Sequence, residues 1–93
     1  MLTLPAVLTH AASAQFALGL KQAVASQPAQ LVADANGLHE FDSSALALLL
    51  ACRREALAGG KAFSVQGLPA RLRQLAGLYG VAELIPDSAA VPA

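Results

Sequence analysis

A group of small polar residues stands directly before the most apolar stretch of the chain. Phe41-Asp42-Ser43-Ser44 is followed by an unbroken apolar run, Ala45–Cys52. An Asp or Ser side chain at a helix start accepts hydrogen bonds from the first backbone amides, which have no partner inside the helix. The same amides and the helix dipole favour negative charge, although Asp42 would repel a phosphate on Ser43. The segment predicts either a simple capping turn or a docking surface at the start of an apolar helix.

The residue types of a hydrolytic triad occur in and around this segment. Ser43 or Ser44, His39, and Asp34 or Asp42 supply a hydroxyl, an imidazole and a carboxylate. Nothing in the chain resembles the Gly-x-Ser-x-Gly turn that exposes a nucleophilic serine. The glycines fit neither the Walker pattern nor the dinucleotide-binding pattern. We therefore expect no enzymatic activity, with a small hydrolase using Ser43 or Ser44 as the enzyme alternative.

The same loop also contains residue types that could bind a metal ion. His39-Glu40-Phe41-Asp42 offers an imidazole and two carboxylates, and His10 is the only other histidine. Four neighbouring loop residues seldom converge on one ion. The single cysteine, Cys52, excludes an internal disulfide and a multi-cysteine metal site, and its apolar neighbours are typical of an inert core thiol. The sequence predicts no metal and no cofactor.

Composition limits the remaining classes of function. The chain has 93 residues, of which 56% are hydrophobic, and six basic residues balance six acidic ones. A neutral chain with one tyrosine and no tryptophan lacks the basic, aromatic surface of a nucleic-acid binder. The longest apolar run falls far short of the ~20 residues that cross a bilayer, and the start lacks the pattern of a signal peptide. We expect a cytoplasmic protein without direct membrane insertion.

Periodicity and turn signals predict strands and helices in the order βαβαβα. The predicted strands are Leu2–Leu4, Gln30–Ala33 and Lys61–Val65, and the predicted helices run from about Ala11 to Pro28, from Asp42 to Gly59-Gly60, and from Pro69 to Gly80. Asp34–Phe41 is predicted as a loop. Short connections in this order imply an α/β fold with a small, mostly parallel sheet covered by helices. We expect one domain over residues 1–86 and a flexible tail over residues 87–93.

Eight apolar residues are expected in the core of this domain. They are Leu31, Val32, Leu46, Leu49, Leu50, Phe63, Leu72 and Leu75. The third helix is predicted to pack through a stripe formed by Leu68, Leu72, Leu75 and Tyr79.

The pattern as a whole resembles a STAS domain. The resemblance extends from Leu2 to Pro86, and its most specific part is the Asp42-Ser43 pair before the leucine-rich helix. The family includes anti-sigma-factor antagonists and MlaB-like subunits of ABC-type phospholipid transporters. Val65-Gln66-Gly67-Leu68 and the later segment Leu75–Pro86 are similar to the MlaB-like branch. Thr9 stands where many STAS domains carry an acidic residue, which in the antagonists lies near the phosphorylated serine. The absence of this acid weakens the interpretation that the chain is a phosphorylation switch.

The resemblance implies an accessory subunit that acts by binding another protein. Its partner would be the ATPase of an ABC-type phospholipid transporter that maintains outer-membrane lipid asymmetry. The implied contact centres on Ser43 with Asp42 and Ser44, and includes the loop residues His39 and Glu40. The subunit would then lie at the cytosolic face of the inner membrane through its partner. The alternative is an anti-sigma-factor antagonist, with an anti-sigma factor or serine kinase as partner and Ser43 as the phosphorylation site.

Overall fold

A computed structural model describes residues 1–88 of the protein. The strands are β1 (Leu2–Thr3), β2 (Val7–Leu8), β3 (Gln30–Asp34), β4 (Glu40–Phe41) and β5 (Ala62–Gln66), and the helices are α1 (His10–Ala17), α2 (Leu20–Ala25), α3 (Ser44–Ala58) and α4 (Ala70–Leu78). A 3₁₀ turn follows over Ala82–Leu84. Every paired strand runs parallel to its neighbour. The predicted α/β class with a small parallel sheet is confirmed.

The central sheet has three strands in the order β1-β3-β5. In the register of β3 and β5, Leu31 lies opposite Phe63 and Ala33 lies opposite Val65. All four of these side chains are buried. Val65 also donates its backbone N–H to the carbonyl oxygen of Pro86 at 2.8 Å, which ties the end of the described chain to the sheet.

Five of the eight predicted core residues are buried. Leu31, Leu46, Leu49, Phe63 and Leu72 belong to the hydrophobic core, and Leu49 and Leu72 have no exposed surface. Leu50 and Leu75 are partly buried and pack against that core. Val32 is also only partly buried, because alternate residues of a strand face opposite sides of the sheet.

The predicted first helix is in fact two helices. Leu18 and Gly19 donate their backbone N–H groups to carbonyl oxygens three residues earlier, and this tightened turn ends α1. Glycine has a low helix propensity, which makes Gly19 a natural break. The second helix then begins at Leu20, and both Leu20 and Val24 pack into the core.

The predicted loop over Asp34–Phe41 was wrong at both ends. Asp34 is the last residue of β3 and pairs with Gln66 of β5. Glu40 and Phe41 form β4, which pairs in parallel with β2, with Val7 opposite Glu40 and Leu8 opposite Phe41. A strand of two residues is too short for an alternating pattern to reveal. This second, two-stranded sheet is a tertiary feature, and it lies directly before α1 and α3.

The predicted stripe on the last helix also needs correction. Leu72 is buried, but Tyr79 is 61% exposed because α4 ends at Leu78 and Tyr79 only caps it. Of the predicted tail, residues 89–93 lie outside the described part of the chain. Asp87 forms an isolated parallel bridge with Val65. The boundary between a domain over 1–86 and a flexible tail stays a prediction.

Candidate functional site

The two-stranded sheet places the starts of α1 and α3 side by side. Its strand β2 leads into α1, and its strand β4 leads into α3. The backbone N–H groups of His39 and Glu40 both donate to the carbonyl oxygen of Ala6, at 3.0 and 3.1 Å. Two segments far apart in sequence are thereby joined just before each helix begins.

The carboxylate of Asp42 connects the two helix starts. Its Oδ1 accepts a hydrogen bond from the backbone N–H of Ser44 at 2.8 Å, and its Oδ2 accepts one from the backbone N–H of His10 at 3.1 Å. The carbonyl oxygen of Asp42 also accepts from the N–H of Ala45 at 3.0 Å. Amides at a helix start have no partner within the helix, so one carboxylate satisfies a donor of each helix. The sequence left the capping side chain open between Asp42 and the serines; in the structure it is Asp42, and its carboxylate bonds the starts of both helices, an arrangement that we call the Asp42 clasp.

These contacts lower the pKa of Asp42 from its ordinary value of 3.8. The backbone N–H of Ser44 is the largest cause, and the Ser44 hydroxyl, the His10 N–H and the His10 imidazole act in the same direction. Each of these groups favours the charged carboxylate. At pH values above 3.8 the ionised Asp42 therefore stabilises the folded protein. This contribution is lost as the pH falls through the lowered pKa of the folded state.

Replacing Asp42 with Asn should make stability less dependent on pH. We expect Asp42→Asn to melt below the wild type near neutral pH, because an amide lacks the negative charge that the helix starts favour. The difference in Tm should shrink as the pH is lowered from neutral to below 3.8 and through the lowered pKa of Asp42, because the carboxylate becomes protonated over this range. Thermal melts followed by circular dichroism at several pH values measure the Tm of both proteins. Glu83→Gln is the control, because it changes the net charge equally but lies outside the Asp42 clasp. If the Tm of both variants changed with pH in the same way, Asp42 would not be the group that makes stability depend on pH.

Ser43 and Ser44 occupy different environments although they are adjacent. Ser43 is exposed, and its side chain makes no capping hydrogen bond within residues 1–88. Its backbone is already helical (φ −62°, ψ −18°), and the preceding Asp42 holds the N–H of Ser44 from the capping position. The backbone carbonyl of Ser43 accepts from Leu46 and Ala47. The Ser44 side chain is partly buried, and its Oγ lies 3.4 Å from Nδ1 of His10. The Ser43 hydroxyl is therefore the more accessible of the two.

The remaining predicted site residues lie on the approach to α3. His39 and Glu40 are both exposed. The His39 ring is turned back toward its own loop, with Nδ1 3.3 Å from the carbonyl oxygen of Gly37. His10 was not predicted as part of the site, yet its backbone and ring both contact it. The sequence shows only that His10 lies near the start of a helix. Its bond to Asp42 joins residues 32 positions apart, so it could not be predicted without the fold.

The serine, histidine and aspartate side chains of this region are not arranged as a catalytic triad. Asp42 accepts from the backbone of His10 and not from its ring, and the distance from Ser44 Oγ to the ring exceeds the usual limit of about 3.2 Å. Among residues 1–88, no three His, Cys, Asp or Glu side chains come together to hold a metal ion. Burial raises the pKa of the Cys52 thiol to about 12, so the reactive thiolate is scarce at neutral pH.

An apolar groove runs between α1 and α3 below the Asp42 clasp. Its volume is about 250 Å³. The lining residues are His10, Ser13, Ala14 and Ala17 of α1, and Ser44, Ala47, Leu48 and Ala51 of α3. The alanines leave open the space that larger side chains would fill. His10 and Ser44 place one end of the groove directly beside Ser43.

Comparison with known proteins identifies the family of the chain. A family model described as "Mlab, STAS domain" matches residues 1–86. No curated protein matches the chain at a significant level. None of the helices within residues 1–88 is both long enough and apolar enough to cross a membrane.

Proposed function

This chain belongs to the MlaB-type STAS domain family, and we propose from that premise that it is an accessory subunit of an ABC-type phospholipid transporter. It would bind the ATPase of that transporter and stabilise or regulate it. Through this partner it would lie at the cytosolic face of the inner membrane and contribute to outer-membrane lipid asymmetry. Such a role requires a protein-binding surface and no catalytic group on the subunit itself.

The exposed Ser43 hydroxyl is the observation that carries the proposal. A capping serine would normally be engaged by its own helix, but here Asp42 performs that task. In the part of the chain that the structure describes, Ser43 therefore presents at a helix start a small, polar side chain that makes no capping hydrogen bond. A small residue lets another protein approach the helix closely, and the hydroxyl can donate or accept a hydrogen bond across the interface.

The proposed contact extends along the exposed residues around Ser43. His39 and Glu40 lie on the approach to α3, and Ser44 and Asp42 lie on either side of Ser43. We assign Ser43 the central position, with Asp42 holding the two helix starts in place. A rigid support of this kind reduces the ordering cost that binding must overcome.

An anti-sigma-factor antagonist is the second candidate, since the same hydroxyl would be open to a serine kinase. Two features weigh against this alternative. The Asp42 carboxylate beside Ser43 would repel a phosphate, and the residue before His10 is Thr9 instead of an acid.

Direct binding measurements separate these functions. We expect isothermal titration calorimetry to detect saturable binding between the purified chain and the purified ATPase subunit of a phospholipid ABC transporter from the same genome. The ATPase activity of that subunit, or its thermal stability, should change when the chain is added. The isolated chain should not hydrolyse esters, phosphoesters or nucleotides. Absence of ATPase binding combined with kinase-dependent phosphorylation of Ser43 would support the antagonist instead, and turnover lost in Ser43→Ala would support a hydrolase.

A further inference from the structure

The only asparagine of the chain is followed by a glycine. Asn36-Gly37 lies between β3 and β4, and both residues are exposed. Asparagine before glycine is prone to deamidation, because glycine has no Cβ to hinder its backbone nitrogen. That nitrogen bonds to Cγ of Asn36, the Cγ–Nδ2 bond breaks, and ammonia leaves with the proton of the Gly37 N–H. Water then opens the cyclic imide to aspartate or isoaspartate.

The turn itself does not require this glycine. Leu38 donates its backbone N–H to the carbonyl oxygen of Ala35 at 3.0 Å, so Asn36 and Gly37 are the central residues of a hydrogen-bonded turn. Neither of them has a positive φ, and turns of that kind accept most residue types. A Cβ built on Gly37 would meet no atom within 4 Å among residues 1–88. Neither backbone strain nor lack of space therefore explains why a glycine follows Asn36.

Two neighbours hold the side chain of Asn36. Oδ1 of Asp34 accepts hydrogen bonds from the backbone N–H of Asn36 at 3.0 Å and from its Nδ2 at 2.8 Å. Gly67 follows β5 directly, and a Cβ built on it would overlap the Asn36 amide. Gly67 has a φ of +70°, a conformation that glycine adopts without strain. The amide of Asn36 thus contacts a carboxylate and a bare backbone at the carboxyl ends of two neighbouring strands.

We propose that Asn36 is a site of spontaneous deamidation, and that Asp34 and Gly67 slow the reaction in the folded chain. Ring closure moves Cγ toward Gly37 and expels Nδ2, so the hydrogen bond from Nδ2 to Asp34 is lost before the product forms. This bond and the contact with Gly67 therefore stabilise the unreacted amide. Either product adds a negative charge to the loop, and isoaspartate also lengthens its backbone. No partner protein takes part, so this site is independent of the proposed function.

Deamidation rates of the folded and the unfolded chain measure this protection. The chain is kept at neutral pH with and without guanidinium chloride, and mass spectrometry follows the conversion of amide to acid in the peptide that contains Asn36. We expect at least about tenfold slower conversion in the folded wild type, because the hydrogen bonds and the packing must be lost first. Two results would overturn the proposal: equal rates in both conditions, or no conversion of Asn36 in the unfolded chain.

Asp34→Ala tests the hydrogen bonds to the carboxylate. The rate in the folded state should rise about three- to tenfold, and the rate in guanidinium chloride should stay that of the wild type. Leu49→Ala is the control for a general loss of stability, because Leu49 is buried in α3 and lies outside this loop. If Leu49→Ala accelerates the reaction as much as Asp34→Ala does, global unfolding sets the rate and Asp34 has no specific role.

Gly67→Ala tests the packing contact. The added methyl group would displace the Asn36 amide, so we expect faster deamidation in the folded state, again by about three- to tenfold. Gly60→Ala is the matched control, since Gly60 has a similar φ of +74° but a Cβ there would meet no atom within 4 Å in the described part of the chain. Both variants carry comparable backbone strain, and only Gly67→Ala should deamidate faster. Equal rates in the two variants would overturn the role of Gly67.

Discussion

Ser43→Arg is expected to leave the protein folded and to abolish its binding to the ATPase subunit. The Ser43 side chain is exposed and makes no capping hydrogen bond, so the free protein has room for a longer side chain. A cation at the positive end of the α3 dipole is unfavourable, typically by about 0.3–1 kcal/mol. In an interface, the same guanidinium would clash and lose its hydration without a paired charge. This often costs several kcal/mol, which corresponds to a loss of affinity of at least about 100-fold.

The measurement compares Ser43→Arg with a control that carries the same electrostatic penalty. Ala70 is the exposed first residue of α4, so Ala70→Arg also places a cation at a helix start but outside the proposed contact. Both variants should show the circular dichroism spectrum of the wild type. Calorimetry should detect ATPase binding for Ala70→Arg alone. A folded Ser43→Arg protein that binds with unchanged affinity would place Ser43 outside the interface.

Leu49→Ala is expected to have the largest effect on stability. Leu49 lies in the middle of α3, belongs to the hydrophobic core and has no exposed surface. Truncation of such a leucine removes buried apolar atoms and leaves a cavity, which costs about 2–5 kcal/mol. A small domain has a total stability of about 5–15 kcal/mol, so this single change removes a large part of it.

Leu57→Ala is the matched control for this substitution. Leu57 lies in the same helix but is 49% exposed, and its truncation should cost less than about 1 kcal/mol. Urea denaturation gives both free energies of unfolding. We expect a clear fall in the midpoint for Leu49→Ala and a small one for Leu57→Ala. Equal midpoints would show that the helix does not pack through the face that contains Leu49.

The sequence was sufficient to predict the main elements and the cap of α3. Strand β3, helix α3 and strand β5 were each predicted to within about two residues, because long apolar patterns and glycine stops are local signals. The capping role of the Asp42-Ser43 segment was also local, since the carboxylate reaches an amide two residues away. The family resemblance rested on these same residues, and the match over residues 1–86 confirms it.

The assembled site depended on contacts between segments that are distant in sequence. The bond from His10 to Asp42 spans 32 residues, and the two-residue strands that align these segments carry no periodicity of their own. The groove exists because alanines of α1 and α3 face each other across a helix pair, and the side-chain pattern of either helix alone does not reveal a gap between them. The sequence therefore determined which residues begin α3. Only the tertiary structure decided that Asp42 would cap two helices and that Ser43 would stay exposed beside it.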